Sequence, residues 1–277
     1  MGIAQLHTTQ RANFDVWSDQ ATVFVVNDNN GYLFSFEKLA QGETWITRDS
    51  LAQIGVGNPP IAAAVPAERR ALASIKPTDV MVIGINSWPP DLLSSPMNLN
   101  CRAALYSFGF LLRRAAAVQL DIDERELKVG LRVFLDPNGN VTGQVFLSDS
   151  LENGAGYSSH LGTPTEAENL LRFVVGQNGT AFYDPLVSAA HANECHTSCP
   201  DCLRDFFNLP FHNILDWRLG LDLARLALNA NAQIDLAVPY WQQLIPAVCS
   251  AYFTAQPGWQ FVSFAGIPAG QCGNQVE

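Results

Sequence analysis

Three cysteines fall within eight residues, Cys195, Cys199 and Cys202, inside the stretch HANECHTSCPDCLRDFFNLPFHNILDWRLG from His191 to Gly220. A C-x3-C-x2-C spacing with histidines on both sides brings soft donors toward one point, and the chain must fold around whatever occupies it. A tetrahedral zinc ion needs four ligands drawn from Cys and His. Cys195, Cys199 and Cys202 supply three, and His212, just past Pro210, is the expected fourth, ahead of His191 and His196. The Cys199-Pro200 step reads as a helix start that runs to Asn208 and Pro210. That would place two sulfurs at the positive end of a helix dipole, where thiolate is favoured over thiol.

The same spacing has other uses. It holds an iron-sulfur cluster in radical-SAM enzymes, where the motif follows the first strand of a barrel and an aromatic residue precedes the last Cys. Here Asp201 takes the aromatic place and only 75 residues follow Cys202, too few for the barrel. A redox thiol cluster and three unliganded cysteines are the remaining readings. Zinc is the expected cofactor.

Composition narrows the class. The 277 residues are 48% hydrophobic, enough to bury one large core or two small ones. A net charge of -10 argues against a protein that coats nucleic acid by bulk electrostatics. Cys101, Cys249 and Cys272 are scattered, unlike a secreted disulfide framework, so a reducing cytoplasm is expected. The N-terminal residues lack the basic and apolar regions of an export signal. The apolar run 103–112 is bounded by Arg102, Arg113 and Arg114 and is too short for the roughly 20 residues that a membrane span needs. No membrane and no small-molecule substrate is expected.

Local patterns give an order of elements: a hairpin and Pro-rich connector over residues 1–75, then an α+β domain over 76–277 that carries the Cys-rich metal-binding segment 191–212. ATVFVVNDNNGYLFSF has two β-rich runs around Asn27, Asp28, Asn29, Asn30 and Gly31, which predicts a hairpin. Four prolines mark the segment after Gly57 as a connector with a short helix. Residues 79–86 read as a buried strand, and Cys101 to Val118, apolar nearly all round, as a buried helix. ELKVGLRVFL and VTGQVFLSDS flank Asp136, Pro137, Asn138, Gly139 and Asn140 and predict a second hairpin. In TPTE, Thr163 caps a helix from about 164 to 175, with Pro164 at its first position and Glu166 reaching back. From Ile214 to about Ala230, Leu215, Leu219, Leu223 and Leu226 line one helix face, and Arg218, Asp222 and Arg225 form ion pairs on another. The fold class is α+β, antiparallel strands with packed helices and a late zinc-knuckle-like loop.

Several further groups admit a functional and a structural reading. The tract Asn153 to Tyr157 follows a strand and could turn the backbone of Asn153, Gly154 and Gly156 to a phosphate, although a tight turn explains it as well. Asp149, Glu152 and His160 could join His191 in a hydrolytic site. Arg69, Arg70, Arg102, Arg113 and Arg114 would make a basic patch if folding gathered them. Asp121 to Glu126 reads as a solvated loop or cap, Cys101 and Cys249 as core, and Trp217 as a packing anchor.

FLSDSLENGAGYSSHL together with ECHTSCPDCLRDFFNLPFHNILDWRLGLDLARL resembles the MrfA-type zinc-binding domain found at the C-termini of superfamily-two helicases and in DrmB of the DISARM anti-phage system. Asn153 to Tyr157 stands where that family has a Gly-Gly-Ala-Gly loop, and TDVMVIGI from Thr78 is similar to its early strand. Asn208, His212 and LDWRLGLDLA resemble the DrmB-like branch, whereas helicase-fused members carry a fourth Cys near Asn208. The resemblance implies a zinc-binding accessory subunit or module that works with a superfamily-two helicase and, through it, with DNA. No G-x-x-x-x-G-K-[ST] loop is present to make this chain the motor. A metal- or Fe-S-dependent enzyme and a free-standing nucleic-acid-binding module are the alternatives.

Overall fold

The computed structural model describes residues 7–8, 12–27, 31–47, 61–62, 65–89, 94–136, 139–232, 238–264 and 267–276. In chain order the strands and helices are β1 (His7–Thr8), β2 (Phe14–Asn27), β3 (Phe34–Lys38), β4 (Trp45–Ile46), β5 (Glu68–Arg70), β6 (Leu72–Ile85) and α1 (Leu99–Leu120). There follow β7 (Leu127–Leu135), β8 (Val141–Asp149), α2 (Tyr157–Leu161), α3 (Pro164–Val174), α4 (Tyr183–Val187) and α5 (Ala189–Glu194). The chain ends with α6 (Trp217–Leu228), α7 (Pro239–Thr254), β9 (Gln260–Phe264), β10 (Ile267–Cys272) and β11 (Gln275–Val276). Single 3-10 turns at Glu124–Glu126 and Phe206–Phe211 complete the set.

Two compact units result. One comprises Met1–Gln20 with Thr78–Glu277, the other Ala21–Pro77. The described residues up to Gln20 group with the larger unit. The larger unit holds a five-stranded sheet ordered β1-β2-β6-β8-β7, with β6/β8 and β7/β8 antiparallel, and a small β11-β10-β9 sheet. The smaller unit holds β4-β3-β5. Fold class α+β is what the structure shows, and the antiparallel pairing is unlike the parallel barrel of radical-SAM enzymes.

The hairpin expected around residues 21–36 is a correction. Strands form on both sides, but β2 joins the five-stranded sheet and β3 pairs with β4 and β5. Backbone pairing with strands distant in sequence outweighed the local turn propensity, and Phe24, Val25 and Val26 stay exposed. The turn at 28–30 lies outside the described residues, as do residues 57–60 and 63–64 of the Pro-rich connector and residues 137–138 of the second hairpin. The short helix expected in that connector is a correction, since its described part forms β5 and the start of β6. That second hairpin is present, with β7 and β8 in register from Leu127↔Asp149 to Leu135↔Val141.

Helix α1 forms the centre of the larger unit. Asn98 caps it, accepting from the backbone N–H groups of Asn100 and Cys101. Leu105, Phe108, Leu111, Leu112, Ala115 and Ala116 are almost wholly buried, so a helix apolar on most sides is covered on most sides. Cys101 is part of this core, and burial raises its thiol pKa to about 11. Helix α6 crosses α1 at Gly220, where a Cβ would stand 2.8 Å from the Ser107 carbonyl oxygen. Only a residue without a side chain lets the two backbones approach so closely. Helix α3 begins where the sequence placed it, the Thr163 hydroxyl accepting from the Glu166 N–H at 3.4 Å. Asp123 caps the 3-10 turn after α1, the expected role for that acidic run.

Candidate metal centre

The knuckle is built by two short-range devices. Ser188 caps α5, accepting from the His191 N–H at 3.2 Å, and one helical turn later the Cys195 N–H donates to the His191 carbonyl at 2.8 Å. His191 and Cys195 thus share one face, four residues apart. Beyond them, Cys202 and Leu203 return to the Cys199 carbonyl in a tight turn, and the Cys199 N–H donates to the Cys202 sulfur at 3.1 Å. The chain here is a turn, not the helix expected from Cys199 to Asn208. The 3-10 turn starts at Phe206 and contains Pro210, because Asp205 caps it through the N–H groups of Phe207 and Asn208.

His191, Cys195, Cys199 and Cys202 bring their four donor atoms within 4.8 Å of one another. The Cys195 and Cys199 sulfurs each lie 3.7 Å from the Cys202 sulfur, and Cys199 Sγ lies 3.4 Å from His191 Nε2. A tetrahedral ion with Zn–S about 2.3 Å and Zn–N about 2.0 Å requires edges of about 3.8 Å between sulfurs and about 3.5 Å between sulfur and nitrogen. These three separations match a zinc ion and are far longer than a disulfide bond of about 2.05 Å. All three cysteines are free.

The histidine is oriented for this task. Its Nδ1 sits 2.7 Å from the Leu186 carbonyl oxygen and must donate to it, which leaves the Nε2 lone pair facing the thiols. The ring also packs on Trp217 with centroids 5.3 Å apart. Cys195 and Cys202 are buried. Burial and the neighbouring Cys202 push the Cys199 thiol up, and the Cys195 hydrogen bond and then burial raise Cys202. The expected stabilisation of thiolates by a helix dipole is absent because no helix starts there. Crowded thiols of this kind lose their protons to a bound cation, so the donor set and its energetics fit zinc. Zinc is the cofactor of this group.

His212 is the main correction at the site. Its Nε2 lies 2.7 Å from Asn208 Oδ1 and 3.0 Å from the Asp205 carbonyl oxygen, so it carries the proton and donates. The ring braces the 3-10 turn, and His191 stands in its place beside the thiols. A sequence signal for this existed: His191-x3-Cys195 behind the capping Ser188 spaces two ligands by one helical turn.

The other candidates separate. Asp149 is fully buried and accepts from the N–H groups of Ala155, Tyr157 and Ser158 at 2.7, 3.2 and 2.9 Å. Gly156 donates to Asp79 at 3.0 Å, and Gly154 (φ +82°) lies so close to Asp79 that a Cβ would overlap it. The loop holding Asn153, Gly154 and Gly156 is a turn closed by two carboxylates, and the amides of Gly154 and Gly156 already have acceptors in the Leu151 carbonyl and Asp79. Asp149, Glu152 and His160 do not join His191: His160 is exposed, 4.0 Å from Glu166. Of the arginines, Arg70 pairs with Glu68, Arg113 is buried against Asp205 and Glu124, and Arg114 donates to the Pro200 carbonyl. Burial opposes ionisation of Asp205, but Arg113 and two backbone N–H groups hold its carboxyl below the usual range.

Arg218, expected on a helix face other than that of the leucines, forms an ion pair with Asp216 at 3.6 Å. It is fully buried and stacked 4.4 Å over the Trp217 ring. Asp222 pairs with Arg225 as expected, at 3.6 Å. Trp217 is an anchor with no exposed surface. No helix of the described residues is long and apolar enough to cross a membrane.

Comparison with known proteins agrees with the site. Residues 108–203 match the family described as the MrfA Zn-binding domain, a span that contains His191, Cys195, Cys199 and Cys202 but ends before His212. Druantia protein DruE from Escherichia coli (strain UMEA 4076-1) is 30% identical over 157 residues, covering 54% of this chain and 8% of that protein. The chain therefore spans under a tenth of that relative. Two crystal structures of the DUF1998 helicase MrfA, one bound to DNA and one bound to DNA and AMPPNP, are 12% and 14% identical. They cover 73% and 79% of this chain, and 25% and 23% of MrfA, at TM-scores of 0.32 and 0.33, a weak likeness.

Proposed function

We propose that this chain, whose residues 108–203 match the MrfA Zn-binding domain family, is a zinc-stabilised, non-catalytic module of a helicase-containing DNA complex in bacterial anti-phage defence. The observation that carries this reading is the closed donor set: His191, Cys195, Cys199 and Cys202 supply all four positions of a tetrahedral ion. A catalytic zinc keeps one position for water or substrate, and this geometry offers none.

The helicase context comes from the match of residues 108–203 to the MrfA Zn-binding domain family, and the defence context from DruE as a relative. The partner proposed is a superfamily-two helicase, with DNA reached through the complex. The finer assignment, a DrmB-like subunit of a DISARM system, rests on Asn208, His212 and LDWRLGLDLA. Here Asn208 and His212 act together, since the His212 ring donates to the Asn208 side chain, which itself donates to the Leu203 carbonyl at 2.7 Å. That bond fixes the chain leaving the knuckle.

The test is an assay of the purified chain alone and then with the helicase that co-purifies with it, at matched salt because DNA contacts are salt-dependent. The chain alone should show no ATP turnover and no DNA cleavage, and it should raise DNA binding or ATP turnover by the partner. Metal-dependent cleavage of DNA by the lone chain, abolished by changing His160 or His191, would establish an enzyme instead.

A further inference from the structure

Arg218 places a full positive charge in the interior, and its hydrogen bonds reach two separate parts of the chain. Nη1 donates to the His196 carbonyl at 2.8 Å and Nη2 to the Cys195 carbonyl at 3.4 Å, both inside the knuckle. Nε donates to the Tyr240 carbonyl at 2.9 Å, in the first turn of α7. The guanidinium is wholly buried, so these acceptors and Asp216 are what compensate its lost hydration.

A second connection runs alongside. The His191 ring packs on Trp217, Trp217 on Tyr240 at 5.4 Å, and Tyr240 on Trp241 at 6.2 Å. The Tyr240 hydroxyl and Trp241 Nε1 both donate to Asp222 of α6, at 2.9 and 2.8 Å. The knuckle is tied to α6 directly as well, through the Trp217 N–H and the Thr197 carbonyl at 3.0 Å.

We propose that Arg218 is a positioning residue of the zinc site and the link through which metal occupancy sets the order of α7. With zinc bound, the 195–196 backbone is fixed and its two carbonyls hold the guanidinium where Tyr240 can accept from it. When zinc leaves, the knuckle relaxes and withdraws those acceptors. The arginine cannot remain buried without them, so its bond to the start of α7 is lost and the Asp222 contacts are left to hold it. The inference rests on the zinc assignment and is independent of any helicase partner.

Hydrogen exchange on the full chain tests it, after elemental analysis has established one zinc per chain. A chain without zinc would overturn the assignment and the inference together. With zinc present, adding a chelator should speed exchange in 191–204 and in 239–254 by about tenfold or more, while α1 stays protected. Loosening confined to 191–204, or a rise everywhere including α1, overturns the link and leaves the zinc assignment standing.

Arg218→Met should give fast exchange in 239–254 even with zinc bound. It should also weaken zinc by about 10- to 100-fold in chelator competition, the range for a lost outer-shell partner. Arg218→Lys, which keeps the charge but not the fork of donors, should restore part of both. If the Met variant does not fold, chelation of the unaltered chain and the Lys variant decide the question. Cobalt substitution adds a readout at the metal, because its visible spectrum should shift in Arg218→Met if the loop backbone is repositioned.

Discussion

The loop after β8 and the knuckle after α5 are both short, polar and turn-rich, and each could be drawn as a ligand site. In the first, Asp149 and Asp79 take up the N–H groups of Ala155, Gly156, Tyr157 and Ser158, and the loop closes on itself. In the second, three sulfurs and an imidazole nitrogen converge within 4.8 Å of one another. A binding site differs from a structural turn in what its polar groups lack, and composition alone does not report that.

Removing the metal is the hardest test of this contrast. Cys202→Ser should abolish tight zinc binding and lower the melting temperature by about 10 °C or more. The loss should be smaller than the apparent binding energy of about 10 kcal/mol seen in peptides that fold only with zinc, since α1 and its sheet bury a core of their own. Calorimetry with elemental analysis reads both effects. A variant without zinc that melts like the parent would make the knuckle a regulatory site rather than a structural one.

The other loop should behave in the opposite sense. Asp149→Asn puts an amide donor against backbone donors in a buried place, at a cost of about 2–4 kcal/mol in denaturant unfolding. Zinc content should stay at the parental level. Loss of zinc from this variant would show that the two loops are coupled after all.

Asp216 offers a comparison in pH. It caps α6, accepting from the Arg218 N–H at 2.9 Å, and burial raises its carboxyl from 3.8 to about 6. The folded state therefore holds a proton that the unfolded chain has released between about pH 4 and 6. This group's contribution is full below pH 4 and falls as pH rises to 6, by on the order of 2–3 kcal/mol. Asp216→Asn retains a capping oxygen and should flatten the stability profile across that window. An unchanged profile would mean that Asp216 is ionised throughout.

The smallest effect is expected from the residue that sequence spacing favoured. His212→Ala should keep its zinc and cost about 1 kcal/mol for the lost bonds to Asn208 and Asp205, whereas His191→Ala should weaken zinc sharply. Competition with a chromogenic chelator separates the two. Equal losses would restore His212 as a ligand.

Local chemistry made a good part of this protein legible. The C-x3-C-x2-C spacing, the capped start of α3, the β7–β8 hairpin and the buried α1 all follow from interactions between residues near in sequence, and spacing or periodicity records those directly. Other features depend on partners far along the chain. Strands β2 and β3 look like a hairpin until each finds its own sheet. The place of Arg218 depends on carbonyls from the knuckle and from α7 that surround it.

The fourth ligand lies between these cases. His191 is four residues from Cys195, but its aim depends on the Leu186 carbonyl and the Trp217 ring, while His212 is drawn away by Asn208. By itself the sequence determined an α+β fold with three thiols at zinc-ligand spacing and histidines on both sides. Tertiary structure decided which histidine, because a side chain's direction is set by the groups that satisfy its other polar atoms.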